Sequence, residues 1–238
     1  MFGSRVAAAA MAVAVLLPIS GRAQDASHWG VTGSIIPHWD VPSRFGPLFD
    51  GTVNVTGRDF TIGIARGREL GGDWGVSYVR KRITDGSRVD NAAALCEYFA
   101  NGCFLFGDAL VAERVTLIGI EAHKFVPFVT IRRRVQVGVN LAAGIGAFHG
   151  DLEKHLYDVD FVSYDPRTSQ TSVRQNDRMW AVPASEFTAL SRVPLGKVQA
   201  AAGVIVAPGF KIRAQAGFDF PGYEKFSIAG VYLFGAKR

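Results

Sequence analysis

Large apolar residues alternate with small or polar residues along several stretches of the chain. In the clearest stretch, 135–146, valine, leucine, alanine or isoleucine occupies every odd position, and Gln136, Gly138 and Asn140 are among the residues between them. Successive side chains of a β-strand point to opposite faces, so this period of two indicates strands and not helices. The alternation predicts eight strands, at 28–36, 58–66, 73–82, 112–122, 133–148, 197–206, 210–220 and 225–235.

The links between the predicted strands alternate between short and long. Those after the second, fourth and sixth strands are short, and those after the first, third and fifth span 37–57, 83–111 and 149–196. Short turns at one end and long loops at the other are typical of an up-and-down antiparallel barrel with an even number of strands. We therefore predict an all-β, eight-stranded antiparallel barrel with long outer loops. Ten strands remain possible if part of 179–196 also spans the barrel.

The longest link contains local signals of its own. Segments 158–164 and 168–174 flank the turn sequence DPRTSQ and predict a hairpin that extends beyond the barrel. Segment 183–192 begins with proline and continues with Ser185 and Glu186, which is a composition typical of a helix start. It predicts a short helix against the loop end of the barrel.

The first residues have the features of an export signal. Arg5 precedes an apolar segment, 6–17, that is shorter than a typical membrane-spanning helix, and small residues follow at the spacing read by a signal peptidase. We predict a signal peptide at 1–23 with cleavage after Ala23, which leaves 24–238 as one barrel domain. An uncleaved membrane anchor is the alternative.

Composition and charge exclude two other classes of protein. After residue 23 the chain contains no run of 18 apolar residues, so it is not a helical membrane protein, although it has 48% hydrophobic residues and 27 glycines. The formal net charge of +5 falls by two when Arg5 and Arg22 leave with the signal. The remaining mild positive charge is too small to indicate nucleic-acid binding.

The last predicted strand, 225–235, ends in alternating apolar residues with aromatic rings. On one face it has Phe226, Ile228, Tyr232 and Phe234. Together with the signal peptide and the eight amphipathic strands, this segment resembles the small outer-membrane barrels of Gram-negative bacteria, the class of OmpA-type and OmpW-type barrel domains. The resemblance implies a transmembrane barrel that is exported through the periplasm and inserted by the outer-membrane insertion machinery, which reads these four residues as an assembly signal. The chain departs from that class by adding four residues after the final aromatic residue.

If the apolar faces contact lipid, the alternate residues face the barrel interior. We predict an interior polar network at Arg132, Arg134, Gln136, Asn140, Lys211, Arg213 and Gln215. An eight-stranded barrel is just wide enough for its own side chains to fill it, which favours a closed interior in which the charges are paired. A narrow pore with a cationic mouth is the alternative.

A second group of cations, Arg80, Lys81 and Arg82, comes at the loop end of the third predicted strand. Such an outer basic rim can bind phosphate oxygens of outer-leaflet lipid, including lipopolysaccharide. A solvated, charged strand end is the alternative interpretation. Aromatic residues suited to the two membrane interfaces are Trp29, Trp74, Tyr78, Phe218, Tyr232 and Phe234.

The two cysteines, Cys96 and Cys103, lie close together in the second long link. In an oxidising compartment such a pair predicts a local disulfide that staples a surface loop.

Candidate catalytic or metal-binding residues are few. One outer loop gathers His149, Asp151 and His155, but no matched nucleophile or second acidic pair accompanies them. We therefore expect no enzymatic activity, no cofactor and no metal.

The sequence thus predicts an integral outer-membrane barrel that acts structurally or binds partners through its outer loops; the ligand is not indicated. A porin-like narrow pore for small apolar or anionic solutes is one alternative. A secreted, soluble, lipocalin-like binding barrel is the other, and it would place its large apolar residues inside and Lys211, Arg213 and Gln215 outside.

Overall fold

The computed structural model describes residues 26–40, 52–90, 93–95, 104–167, 170–187, 192–220 and 222–236. The predicted signal peptide and the predicted cysteine pair, Cys96 and Cys103, lie outside these ranges. Within them, no helix is long and apolar enough to cross a membrane.

The described residues are organised almost entirely as β-strands. In chain order these are β1 His28–Asp40, β2 Thr52–Asn54, β3 Thr56–Gly67, β4 Asp73–Ile83, β5 Arg88–Asp90, β6 Ala93–Leu95, β7 Phe104–Ala112, β8 Thr116–Ile131, β9 Val135–His149, β10 Asp151–Asp165, β11 Gln170–Pro183, β12 Val193–Ala207, β13 Phe210–Phe220 and β14 Gly222–Leu233.

Eight of these strands form a closed antiparallel barrel. Its order is β1-β14-β13-β12-β9-β8-β4-β3, and β3 pairs with β1 to close it. Val31 of β1 is the Cα partner of Tyr232 on one side and of Ile64 on the other. Neighbours in the barrel are consecutive barrel strands of the chain, so the topology is up-and-down. The predicted eight-stranded antiparallel barrel is therefore confirmed.

The fourth barrel strand differs from its prediction. It was expected at 112–122 but is β8, Thr116–Ile131, and Ala112 instead ends β7. The segment after 122 was expected to be a turn, yet it continues the strand through a register shift between Pro127 and Val129. Proline lacks a backbone N–H group and is tolerated at such irregularities. The actual turn is the short segment 132–134.

The long connections form a second sheet at one end of the barrel. Its strands run in the order β11-β10-β7-β5-β2, and β6 pairs with β7 outside this order. The predicted hairpin is present as β10 and β11, but it is longer than expected, because pairing runs from Asp151↔Pro183 to Asp165↔Gln170. We call this end of the barrel the loop end and the opposite end, which has the short turns, the turn end.

The predicted helix at 183–192 is wrong over the residues that the structure describes. Pro183 is the last residue of β11, and a single 3-10 turn, Ala184–Phe187, follows it. Ala184 is buried and its N–H donates to the Gly150 carbonyl, so this turn is held against the loop end. Residues 188–191 lie outside the described ranges.

One apolar cluster joins the second sheet to the barrel. It combines barrel residues such as Ile36, Trp39 and Ile83 with residues of the second sheet such as Val89 and Leu152. These side chains are 4% exposed or less, so the cluster excludes water from the loop end of the barrel. We call it the apolar cap.

Candidate functional site

The barrel interior is polar and charged. The residues of each strand alternate between interior and exterior, and polar side chains occupy many of the interior positions. On β13, Lys211, Arg213 and Gln215 are buried, whereas Ile212 and Ala214 are exposed. The arrangement is the one that the sequence predicts for a membrane barrel and the opposite of the one expected for a lipocalin-like barrel.

An ionic group occupies the interior near the turn end. Both terminal nitrogens of Arg213 donate to the Asp73 carboxylate, and the Nη1–Oδ1 distance is 2.9 Å. Lys211 Nζ donates to the carbonyl oxygens of Arg68 and Gly71 at 2.6 and 2.9 Å, and it lies 3.7 Å from Asp73 Oδ2. The contacts to backbone carbonyls attach the β3–β4 turn to the interior side chains. We call Asp73, Lys211 and Arg213 the turn-end group.

A second ionic group lies nearer the loop end. Lys81 Nζ is 2.7 Å from Asp219 Oδ2 and 3.3 Å from Asp59 Oδ2. Lys197 Nζ donates to Glu121 Oε1 at 3.1 Å and lies 3.9 and 4.0 Å from the same two aspartate oxygens. All five side chains are 5% exposed or less. We call these five residues the loop-end group.

The two groups compensate each other's formal charge. The loop-end group has three carboxylates and two lysines, and the turn-end group has one carboxylate and two cations, so the sum over both groups is zero. Unpaired charge is costly to bury, whereas a matched set with additional hydrogen bonds is tolerated. The charges of the two groups are thus paired, and together the groups carry no net formal charge of either sign.

Neutral polar residues fill the layer between the ionic groups. Asn140 Nδ2 donates to Gln199 Oε1 at 2.9 Å and to Gln215 Oε1 at 3.4 Å, and Ser77 Oγ lies 3.2 Å from His123 Nδ1. A cavity of about 30 Å³ remains there. That space suits roughly two water molecules and polar groups line it, so we expect it to be hydrated.

Four buried atoms of residues that line the cavity lack a hydrogen-bond partner among the described residues. They are Glu121 Oε2, His123 Nε2, Arg213 Nε and Ser227 Oγ. Water in the cavity can satisfy such atoms, which would otherwise be costly to bury.

The interior differs from its prediction at two positions. Gln136, Asn140, Lys211, Arg213 and Gln215 lie in the interior, but Arg132 and Arg134 are exposed in the β8–β9 turn. The cause is the greater length of β8, which moves the turn to 132–134 and carries both arginines past the end of the barrel.

Several interior residues were not predicted to lie in the interior. They include Asp73, His123 and Lys197, and also Lys81, which was assigned to the outer basic rim. The strand alternation could have identified them, since Asp73 and Lys81 share the face of Ser77, and Lys197 shares the face of Gln199.

The predicted outer basic rim is also different in one residue. Arg80 and Arg82 are exposed on the exterior, but Lys81 points into the interior and belongs to the loop-end group. Consecutive residues of a strand cannot share a face, so a run of three cations divides between both faces. Arg58, which was not predicted, is exposed and is the Cα partner of Arg82.

The four residues of the predicted assembly signal all lie on the barrel exterior. Phe226, Ile228, Tyr232 and Phe234 are 45–52% exposed. The Tyr232 and Phe234 ring centroids are 5.6 Å apart, and the Phe234 N–H donates to the Trp29 carbonyl oxygen at 2.7 Å. The strand end is therefore held in the sheet while its rings point outward.

The residues of the outer-loop histidine cluster are divided between the barrel and the second sheet. His149 is the last residue of β9, whereas Asp151 and His155 belong to β10. His155 Nδ1 is 3.4 Å from Asp177 Oδ2, and its Nε2 is 3.6 Å from Glu153 Oε2, whereas His149 and Asp151 are exposed. Among the described residues, no group of three or more His, Cys, Asp and Glu side chains is arranged to hold a metal ion.

An arginine beside this histidine cluster is tied to two neighbours. Arg88 Nε lies 2.8 Å from Asp90 Oδ2, and Arg88 Nη2 donates to the Tyr157 hydroxyl at 3.1 Å. Partial burial lowers the pKa of Arg88, but the bond to Asp90 and the nearby charge outweigh it and raise the pKa. The guanidinium is therefore permanently charged and acts as a structural link between β5 and β10.

Comparison with known proteins gives no assignment. No protein-family model matches the chain, and no curated protein matches it.

Proposed function

We propose that this protein is an integral β-barrel of a bacterial outer membrane, with its exterior in contact with hydrocarbon and its interior closed by paired charges. The observation that carries the proposal is the apolar exterior. Every barrel strand exposes at least one large aliphatic residue by 40% or more. In strand order, one such residue from each is Val31, Ile62, Val76, Ile120, Val137, Val198, Ile212 and Ile228.

An exterior of this kind is unfavourable in water. Soluble monomers expose single apolar residues routinely, but they rarely expose a contiguous apolar surface of more than a few hundred Å². Here exposed aliphatic residues surround the barrel, while Lys81, Lys211 and Arg213 are inside. A lipocalin-like barrel has the reverse arrangement, so the burial pattern favours the membrane barrel.

Aromatic residues support the same proposal at the turn end. Trp29 and Trp74 are about half exposed, and their ring centroids are 6.1 Å apart. Phe210 lies nearby in β13, with its ring centroid 6.5 Å from that of Tyr232. Aromatic girdles at both membrane interfaces are a feature of outer-membrane barrels.

The proposed role is structural or one of binding through the second sheet, without catalysis. The closed interior makes solute transport the less favoured role, because the apolar cap and the two ionic groups fill the barrel. In this proposal the signal peptide at 1–23 directs export to the periplasm, where oxidation joins Cys96 and Cys103. The insertion machinery then recognises the C-terminal strand, and lipopolysaccharide and other outer-membrane lipids surround the folded barrel.

Cell fractionation tests the proposal. The protein is expected in the sarkosyl-insoluble outer-membrane fraction, and its electrophoretic mobility is expected to change on heating, because a folded barrel resists detergent until it is boiled. Recovery as free periplasmic or secreted protein, with mobility that does not depend on heating, would contradict the proposal.

The C-terminal strand provides a separate test of assembly. Phe234→Ala removes an aromatic residue of the proposed signal, and Phe60→Ala is the matched control, because Phe60 is also an exterior ring but lies on β3. We expect the first variant to reduce the amount of heat-modifiable barrel in cells more than the second. Equal reductions would argue against recognition of this strand.

A further inference from the structure

Three arginines form a cationic surface on the barrel exterior at the loop end. Arg58 on β3 and Arg82 on β4 are direct Cα partners, and Arg80 is two residues along β4, opposite Phe60. Their Cα atoms are therefore separated by about 5 Å across the strands and about 7 Å along β4. All three side chains are exposed, whereas Asp59 and Lys81, which alternate with them, are buried. We call Arg58, Arg80 and Arg82 the exterior arginine triad.

The exterior arginine triad carries more positive charge than the neighbouring carboxylates of the described residues neutralise. Arg82 Nη2 lies 3.8 Å from Asp85 Oδ2, but both side chains are more than half exposed, and ion pairs of that kind contribute little. Among the described residues, no carboxylate lies within 4 Å of Arg58 or Arg80. Like charges placed directly opposite each other in a sheet are destabilising. The arrangement therefore suits an external anion that carries more than one negative charge.

The same two strands continue from the triad into an apolar exterior surface. Toward the turn end, β3 exposes Phe60, Ile62 and Ile64 by 45–56%, and β4 exposes Tyr78 and Val76 by 42% and 44%. A ligand that covers both surfaces needs anionic groups at one end and hydrocarbon at the other. A membrane lipid with a phosphorylated headgroup has this form.

We propose that the exterior arginine triad binds the headgroup of an outer-leaflet lipid that carries two or more phosphate groups, while the acyl chains lie on the apolar surface of β3 and β4. This inference rests on the proposed membrane location. The planar guanidinium group donates two parallel hydrogen bonds to phosphate oxygens, which makes arginine better suited to this task than lysine. Two of the three arginines on adjacent strands can each engage a different phosphate of one headgroup.

Native mass spectrometry of the barrel folded in detergent micelles tests the proposal. The probes are bisphosphorylated lipid A, its monophosphorylated form and its dephosphorylated form. We expect the wild-type protein to retain the bisphosphorylated form best. The variant R58Q/R80Q/R82Q is expected to bind it at least about tenfold more weakly, from the summed loss of three exposed charge contacts.

A matched control removes three arginines at the opposite end. Arg132, Arg133 and Arg134 are exposed in the β8–β9 turn, so R132Q/R133Q/R134Q changes the net charge equally. This variant is expected to bind like the wild-type protein. Equal weakening of both triple variants would overturn the proposal, since it would indicate a general effect of charge. Equal binding of the three lipid forms would also overturn it.

Two further measurements separate the other outcomes. Inorganic pyrophosphate is added as a competitor, and full displacement of the lipid at equal concentration would indicate a free-phosphate site and overturn the lipid assignment. Folding of each variant is checked by heat-modifiable mobility, and the single variants R58Q and R80Q replace the triple variant if it does not fold. A wild-type protein that stays soluble without detergent contradicts the proposed function itself, whereas an embedded barrel whose triple variant binds normally contradicts only the triad site.

Discussion

Lys81→Met is expected to destabilise the barrel strongly, although residue 81 lies between two exposed arginines in the sequence. Lys81 is fully buried and contacts Asp219 and Asp59 at 2.7 and 3.3 Å. Without it, the nearest described cation to both carboxylates is Lys197, at 4.0 and 3.9 Å. Removal of one partner from a buried ion pair typically reduces the free energy of unfolding by about 3–5 kcal/mol. We expect a loss of that size.

Arg80→Met is the matched control, because it makes the same kind of change one residue away on the exterior. Exposed charged groups contribute about 1 kcal/mol or less, so the expected change is within that range. Urea unfolding of the micelle-bound barrel, followed by tryptophan fluorescence, gives both free energies. A loss for Arg80→Met that equals or exceeds the loss for Lys81→Met would refute the assignment of interior and exterior faces.

The double variant K81M/D219N distinguishes charge imbalance from lost packing. It removes one cation and one carboxylate, so the formal charge of the loop-end group returns to its original value. We expect the double variant to be more stable than K81M alone. If D219N adds its own full destabilisation to that of K81M, the two residues are not coupled and the ionic account of the interior is wrong.

Four other predictions concern the barrel wall, the interior and the loops. Val139→Arg places a charge on the exterior and should reduce the free energy of unfolding in lipid vesicles by about 2–4 kcal/mol, and an unchanged stability would contradict lipid contact. Gly144→Ala should also destabilise the barrel, because the added Cβ would lie 2.7 Å from Glu121 Cα, and a stability equal to wild type would contradict this close approach. The pure protein should give no stable single-channel steps in a planar bilayer, and their appearance would contradict a closed interior. Reduction of Cys96 and Cys103 should change gel mobility without loss of membrane insertion, whereas unchanged mobility would contradict the disulfide.

The sequence predicts the barrel well because one physical constraint acts on every strand. Side chains that face opposite environments impose a period of two, and this period is visible in β9 and β13 without any knowledge of the fold. The same alternation separates Ile212 from Lys211 and Arg213, so it predicts which residues are buried. Strand ends are predicted less well. β12 begins at Val193, before its predicted start at 197, and Val193 packs in an apolar cluster with Val79, Leu117 and Leu195.

The second sheet could not be predicted in the same way. β5 and β2 contain three residues each, which is too short for a period to be detected. β7 has the sequence FLFGDALVA, in which apolar residues do not alternate with polar ones. The barrel strand β8 is a further example, because it continues through Pro127, a residue that ordinarily argues against a central strand. In all of these strands, pairing with distant strands determines the structure more than the local sequence does.

The charged residues of the candidate site were predicted only in part, because the sequence does not show directly which cations share a face or lie on adjacent strands. Consecutive cations in a strand look like one patch in the sequence, but alternation divides Arg80 and Arg82 from Lys81. The pairing of Arg58 with Arg82 depends on the register between β3 and β4, which the sequence does not specify. The exterior arginine triad is therefore visible only in the structure.

The most direct test of the central claim is photolabelling from within the bilayer. A hydrocarbon-soluble photoreactive probe is activated in outer membranes that contain the protein, and the modified residues are mapped by mass spectrometry. Labels are expected on exterior residues such as Ile62, Ile120 and Ile228, and not on interior residues such as Thr61 and Gln199. Labels on the interior residues, or an unlabelled exterior that water-soluble reagents modify freely, would contradict the assignment of the apolar face to lipid.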